Sequence, residues 1–210
     1  MRPDDTRANT RATWRTYAYW VAIISVVFFS VYPLSNWLTS QRETVLHLYL
    51  RAELDIPLIP TFIWAYLSLY VIFLAPPFVL GAEAMQKLGR QLVAATLLSG
   101  MVFLIFPAQL GFSRLLPEDP LYRSIFTALF SLDRPHNMVP SLHVVYSALI
   151  LLTLAASTTR RHLQSVWWLW LILLCSSTLL VHQHHLIDVV SGLLVAVTFR
   201  QWKRTGGSNA

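Results

Sequence analysis

Long apolar runs separated by short polar segments dominate the chain. Five runs reach the roughly 17 or more residues that a helix needs to cross a bilayer. They cover residues 16–41, 56–82, 91–113, 140–159 and 165–181. A sixth run, residues 189–199, gains a spanning length if it begins near Leu186, which places Asp188 in the first helical turn. On that helix Gly192 and Ala196 are four residues apart, which would let another helix approach closely.

This pattern predicts an all-α integral membrane bundle of six transmembrane helices, with short interfacial helices in the outer loops. Residues 42–55 mix apolar and charged positions at roughly helical spacing, which fits an interfacial segment or an ordinary solvated loop. Pro76 and Pro77 are expected to kink or end the second helix. The longest polar connection, residues 114–134, contains a candidate interfacial helix over 121–132. A shorter loop is predicted to hold Glu83, Lys87 and Arg90.

Composition supports a membrane protein. The 210 residues are 55% hydrophobic and only 12% charged, which is too apolar for an ordinary soluble domain. The net charge of +6 does not indicate nucleic acid, because the charges are divided among short segments instead of forming one basic face. Cys175 is the single cysteine and can form no internal disulfide. We predict a cytoplasmic segment over 1–15, one transmembrane domain over 16–204 and a disordered tail over 205–210.

The distribution of basic residues predicts the orientation. Of the 16 Lys and Arg, eleven lie at the two termini and in the second and fourth connections, and five lie in the other three connections. Because basic residues favour the cytoplasmic side, both termini should be cytoplasmic. The polar clusters at residues 140–143 and 182–188 should then meet at the outer face of a multi-pass membrane protein. In a bacterium this would be the plasma, or inner, membrane.

The first polar cluster, Pro140-Ser141-Leu142-His143, opens an apolar run. Proline at a helix start loses no hydrogen bond, since the first backbone N–H groups have no partner within the helix. Those N–H groups, the helix dipole, Ser141 and His143 would surround a point that suits an anion, most commonly phosphate.

The second cluster supplies a candidate nucleophile. His184 and Asp188 are four residues apart, so on one helix they share a face, and the carboxylate can hold one ring nitrogen. The other nitrogen would then serve as a base or nucleophile. With phosphate bound at the first cluster, His184 could attack in line while His143 donates a proton to the leaving oxygen. Nearby arginines would neutralise the transferring group; the loop before the first cluster holds Arg114, Arg123 and Arg134.

These residues resemble a known family. The Pro-Ser-Leu-His cluster, followed by His184, three residues, Asp188 and then Gly192, is similar to the second and third motifs of the type 2 phosphatidic acid phosphatase superfamily. Leu142, with Asn137 ahead of it, is closer to the branch that contains inositol phosphorylceramide synthases. The resemblance implies catalysis through a phosphohistidine, without a cofactor or metal. It assigns the nucleophile to His184, its orientation to Asp188, acid and base catalysis to His143, and a phosphate contact to Ser141.

The chain departs from the family pattern at two places. In the first motif, Arg134-Pro135 is present, but Thr127 stands where the family has Lys, and Arg114 is better placed to act for that motif. In the third motif the family's Ser-Arg pair is replaced by Ser177 and Thr178. His182 and His185 are therefore the candidates to bind phosphate in place of the missing arginine.

The sequence thus predicts a lipid phosphatase that acts on a lipid monophosphate or diphosphate at the outer membrane face. With an alcohol as acceptor instead of water, the same site would be a lipid phosphotransferase. Two non-enzymatic alternatives are a packing role and a metal site built from His182, His184, His185 and Asp188. The expected partners are the lipid substrate and membrane lipids, and the oligomeric state is not indicated.

Overall fold

This computed structural model describes residues 3–201, which form an all-α fold of helices joined by loops. In chain order the α-helices are α1 (Pro3–Ser40), α2 (Ile63–Leu67), α3 (Leu69–Leu74), α4 (Pro76–Val79), α5 (Ala82–Ile105), α6 (Pro120–Leu132), α7 (Leu142–Ser157), α8 (Arg161–Leu180) and α9 (Leu186–Gln201). Two short 3-10 helices, Arg51–Asp55 and Pro60–Phe62, precede α2. The predicted disordered tail, 205–210, lies outside the described residues.

Three helices are long and apolar enough to cross a membrane: Thr10–Ser40 within α1, Ala82–Ile105 and Arg161–Leu180. Pro60–Leu74 and Leu142–Ser157 are apolar but shorter. Large apolar side chains on α1, α8 and α9 are exposed, among them Phe29, Ile172 and Leu194. So much exposed apolar surface is unfavourable in water and fits a surface that contacts lipid.

Helix α7 forms the centre of the bundle, packed against α3, α4, α5, α8 and α9. Its sequence is apolar on all sides, which is typical of a helix surrounded by other helices. Two of its hydroxyls bond within the helix: the Ser147 hydroxyl donates to the His143 carbonyl at 2.6 Å, and the Thr153 hydroxyl donates to the Leu149 carbonyl at 2.6 Å. The helix that begins at the first polar cluster is therefore also the core of the fold.

Helix α5 begins earlier than predicted, and the expected loop over Glu83, Lys87 and Arg90 is wrong. These three residues lie in the first turns of α5, and all three side chains are exposed. Their spacing places them on one polar face, while Met85 and Leu88 are buried on the other. The helix ends at Ile105, shortly before Pro107, instead of continuing to 113.

The predicted second span is interrupted. A 3-10 turn and three short helices, α2 to α4, replace one continuous helix. Helix α3 ends at Leu74 and α4 begins at Pro76, so the predicted break at the Pro76-Pro77 pair is confirmed. The predicted helix at 121–132 is also confirmed as α6, whose N-cap Asp119 accepts the N–H groups of Leu121 and Tyr122 at 2.9 and 3.1 Å.

Residues 42–55 form a loop in which only Arg51–Asp55 is helical. The loop is anchored to the segment after α5, because the Leu46 N–H donates to the Pro107 carbonyl at 2.7 Å. It is also anchored to the start of α9. There the buried Glu53 accepts the Leu186 N–H at 2.7 Å and so caps that helix.

Backbone bonds gather the first, third and fifth connections at one end of the bundle. The Ile59 N–H donates to the Leu180 carbonyl at 2.9 Å, which joins the segment before α2 to the end of α8. The Ser141 N–H donates to the Asp188 carbonyl at 3.1 Å, which joins the start of α7 to the start of α9. The two polar clusters predicted from the sequence therefore meet.

Candidate active site

The turn between α8 and α9 positions His184. The N–H groups of Gln183 and His184 both donate to the Thr178 carbonyl at 3.0 Å, after His182 reverses the chain with a φ of 55°. His184 therefore precedes α9 instead of lying on it, as the shared-face prediction assumed. Its contact with Asp188 is nevertheless present, because Asp188 in the first turn of α9 points back to the turn.

Asp188 holds His184 by a buried hydrogen bond. The Asp188 Oδ2 atom and the His184 Nδ1 atom are 3.2 Å apart. The His185 N–H donates to the same oxygen at 2.8 Å, which fixes the carboxylate. Because Nδ1 faces a carboxylate, it carries the proton, and the lone pair of the neutral ring lies on Nε2.

Ser141 begins α7 as its N-cap, and the prediction that Pro140 would occupy the first helical turn is wrong. The Ser141 hydroxyl accepts the Val144 N–H at 3.4 Å, and the residue is fully buried. Ser141 thus shapes the helix start and presents no exposed hydroxyl to a ligand. His143 follows in the first turn, where backbone N–H groups have no partner within the helix.

Gly192 allows α9 to approach α7 closely, as its spacing with Ala196 predicted. A β-carbon at Gly192 would lie 2.9 Å from the Ser141 carbonyl oxygen and 3.0 Å from the Val144 Cβ. Any larger residue at this position would push against backbone atoms of the first cluster. The distance between the two clusters therefore depends on this glycine.

His143 and His184 come together although they are far apart in sequence. Their ring centroids are 6.2 Å apart, with the planes inclined at 54°. Neither Nε2 atom has a hydrogen-bond partner among residues 3–201. Two imidazole rings whose centroids are this far apart can flank one small group, such as a tetrahedral phosphorus centre with its leaving oxygen.

Three side chains that the sequence pattern did not indicate form a cluster beside His143. The Tyr66 ring stacks on His143 with centroids 4.2 Å apart, and its hydroxyl lies 3.3 Å from Nδ1. The same hydroxyl donates to Asp133 Oδ2 at 3.4 Å, while the Tyr32 hydroxyl donates to Oδ1. The two tyrosines belong to apolar runs, so hydropathy did not distinguish them from core residues. Their positions near the outer ends of the first two predicted spans could have indicated that they lie close to the site.

Arg114 binds backbone carbonyls at the end of α6. Its two terminal nitrogens donate to Phe130, at 3.0 Å, and to Asp133, and the guanidinium lies over the Phe130 ring. Burial lowers the pKa of Arg114, against the attraction of Asp133. Arg134 is exposed. Burial lowers the pKa of His136 also, and the charges of Arg114 and Arg134 lower it further.

His182 and His185 have other partners than the predicted phosphate. His182 Nε2 donates to the Ile56 carbonyl at 2.9 Å. His185 faces Glu53 through Nδ1 at 3.3 Å and accepts the Gly111 N–H through Nε2 at 3.0 Å. The two rings also lie in an aromatic stack with Tyr49 and Phe112. These contacts join the segments that hold Tyr49, Ile56 and Phe112 to the turn, and they leave His185 no free ring nitrogen.

The same contacts direct the three histidines of the alternative metal site to different partners. His182, His184 and His185 each bind a different acceptor. Among residues 3–201, no three His, Cys, Asp or Glu side chains form a group that could hold a metal ion.

We expect the protein to become less stable as the pH is lowered, because of His185. Burial lowers the pKa of this imidazole from its ordinary 6.5, against the attraction of Asp188 and Glu53. The unfolded chain therefore binds a proton at a higher pH than the folded chain. The stabilisation is complete above pH 6.5 and is lost as the pH falls towards the lowered pKa, by at most about 1.4 kcal/mol per pH unit.

Detergent-solubilised protein followed through its unfolding midpoint between about pH 7.5 and 5.5 would measure this effect. His185→Gln should reduce the slope of this dependence, whereas His162→Gln, at an exposed position, should leave it unchanged. An unchanged slope in His185→Gln would contradict the assignment.

Comparisons with protein-family models, with curated proteins and with solved structures found no match to this chain.

Proposed function

We propose that this protein is a membrane lipid phosphate phosphatase that acts on a lipid monophosphate or diphosphate through a phosphohistidine at His184. One observation carries the proposal: His184 is oriented by Asp188 at 3.2 Å, and its ring centroid lies 6.2 Å from that of His143. Such a two-step transfer requires a nucleophile, a carboxylate that orients it and a second imidazole that can donate and accept a proton.

In the first step, His184 Nε2 attacks phosphorus and the bond from phosphorus to the lipid oxygen breaks. Cationic His143 gives its proton to that oxygen. Asp188 stabilises the positive charge that develops on the His184 ring, because its carboxylate faces the Nδ1 proton. The products are the dephosphorylated lipid and a phosphoryl group bound to Nε2.

In the second step, water attacks phosphorus and the phosphorus–nitrogen bond breaks. His143 takes the proton from the water, inorganic phosphate leaves, and both histidines return to their starting states. With an alcohol in place of water, the same step would transfer the phosphoryl-bearing group to the alcohol, which is the phosphotransferase alternative.

Several cationic and N–H groups favour an anion at this place. The first turn of α7 directs its backbone N–H groups and positive dipole end towards the site. Arg114 and Arg134 add positive charge near His136, on the segment that leads into α7. Ser141 contributes by fixing the start of that helix. We assign direct phosphate binding to the N–H groups of this turn of α7 and to Arg134. Arg114, whose terminal nitrogens bind carbonyls, contributes charge, and His182 and His185 have a structural role.

The proposed architecture is a six-span bundle, with α2 to α4 together, α7 and α9 as the shorter spans. Both termini would be cytoplasmic, and the site would face outward. The bias of basic residues supports this orientation. The motif resemblance to the type 2 phosphatidic acid phosphatase superfamily points to the same chemistry at the same residues.

Phosphate release by the purified protein tests the proposal. We would present phosphatidate, an isoprenoid monophosphate and an isoprenoid diphosphate in vesicles, with excess chelator. We expect release from at least one lipid, since no step needs a metal. Transfer of label to an added alcohol without phosphate release would favour the phosphotransferase, and zinc-reversible loss of all activity would contradict a metal-free mechanism.

A further inference from the structure

His143 also contacts a tyrosine that is bound to a carboxylate. Tyr66, from α2, covers the His143 ring in a stack inclined by 22°. Its hydroxyl lies 3.3 Å from His143 Nδ1 and 3.4 Å from Asp133 Oδ2. Three separate segments of the chain therefore meet at one phenol oxygen.

The carboxylate sets the direction of these hydrogen bonds. Asp133 is an acceptor when ionised, so the Tyr66 proton points towards Oδ2. The Tyr66 oxygen can then only accept from the imidazole, which places a proton on His143 Nδ1. The lone pair of neutral His143, or the second proton of its cation, is consequently on Nε2.

Asp133 is itself fixed in place. The Tyr32 hydroxyl from α1 donates to Oδ1, and Arg114 donates to the Asp133 main-chain carbonyl. Tyr32 is held in turn, because its carbonyl accepts the amide of the buried Asn137 at 2.9 Å. Such a connected buried network restricts its members to one arrangement.

We propose that Tyr66 and Asp133 are positioning residues for His143: the juxtaposed carboxylate, phenol and imidazole hold its Nδ1 proton and direct Nε2 to the reacting group. This inference rests on the proposed function, since it gives His143 its role in proton transfer. Tyr66 and Asp133 do not touch the substrate. They stabilise the cationic form of His143, which is the form that protonates the leaving oxygen in the first step.

Tyr66→Phe tests the inference, because it keeps the stacked ring and removes only the hydroxyl. We expect kcat to fall about tenfold to a hundredfold with little change in KM. The alkaline limb of the kcat profile should move to lower pH, since cationic His143 loses its partner while Asp133, Arg114 and His184 remain. Tyr70→Phe, at an exposed tyrosine in α3, is the matched control and should behave as wild type.

Asp133→Asn and the double variant extend the test. Asp133→Asn should reproduce the loss of kcat and the shifted alkaline limb. If the three groups act as one network, Tyr66→Phe with Asp133→Asn should be no worse than the more severe single variant. The unfolding midpoint of each variant in detergent is measured alongside. If Tyr66→Phe does not fold, the kcat and pH profile of Asp133→Asn test the inference.

The possible outcomes separate this inference from the proposed function. One combination of results would overturn the positioning role alone: the wild type is active, His184→Asn is inactive, and Tyr66→Phe has an unchanged kcat and pH profile. A folded Tyr66→Phe with lower kcat but an unshifted alkaline limb would also overturn it, because a merely structural role predicts that result. A folded wild type without phosphate release or transfer would overturn the proposed function itself.

Discussion

Replacing His184 by asparagine is expected to lower phosphate release by about ten-thousandfold, to the background of the assay. The asparagine amide can still donate to Asp188 from the position of Nδ1, but no atom replaces the Nε2 lone pair. The fold should survive, because the turn is held by backbone bonds to Thr178 that the substitution leaves in place.

The assay compares initial rates on the preferred lipid and unfolding midpoints in detergent. His162→Asn, at an exposed histidine at the start of α8, is the control and should retain wild-type rates. Release that persists in a folded His184→Asn would rule out His184 as the nucleophile.

Replacing Gly192 by alanine is expected to reduce activity about tenfold to a hundredfold and to destabilise the fold by about 1–3 kcal/mol. The new β-carbon would lie 2.9 Å from the Ser141 carbonyl oxygen, which belongs to the backbone and cannot rotate away. Helix α9 would have to shift from α7. Because the Ser141 N–H donates to the Asp188 carbonyl, that shift would stretch the bond between the clusters and move His184 away from His143.

Gly81→Ala provides the matched control. A β-carbon there would meet no atom within 4 Å, and its φ of −79° suits alanine. Steady-state rates and unfolding midpoints of the two variants should therefore differ clearly. Equal behaviour of Gly192→Ala and Gly81→Ala would contradict the view that helix separation sets the catalytic distance.

Hydropathy predicted the helical class and most helices, because a long apolar run leaves the backbone few other ways to satisfy its polar groups. Hydropathy misplaced helix boundaries where a residue type is common both in loops and in helices. Glu83, Lys87 and Arg90 are charged like loop residues, but charges at this spacing also form the exposed face of a helix. Pro140 was placed inside a helix that Ser141 begins. Residue type alone does not locate such boundaries.

The candidate site was predictable to the extent that its contacts are local. The spacing of four residues predicted the contact between His184 and Asp188, although His184 lies in the turn before α9 and not on the helix. Tyr66 and Asp133 were missed because they reach His143 only through tertiary packing. The predicted phosphate role of His185 likewise overlooked Glu53, a distant residue that its ring faces in the fold.

Trapping the phosphorylated protein would test the central claim most directly. The purified protein is mixed briefly with a lipid carrying labelled phosphate and quenched in alkali, in which a phosphorus–nitrogen bond to histidine survives. The proposed mechanism predicts label on His184 that is released by acid and is absent from His184→Asn. Label on another residue, or phosphate release without any labelled protein on this timescale, would contradict it.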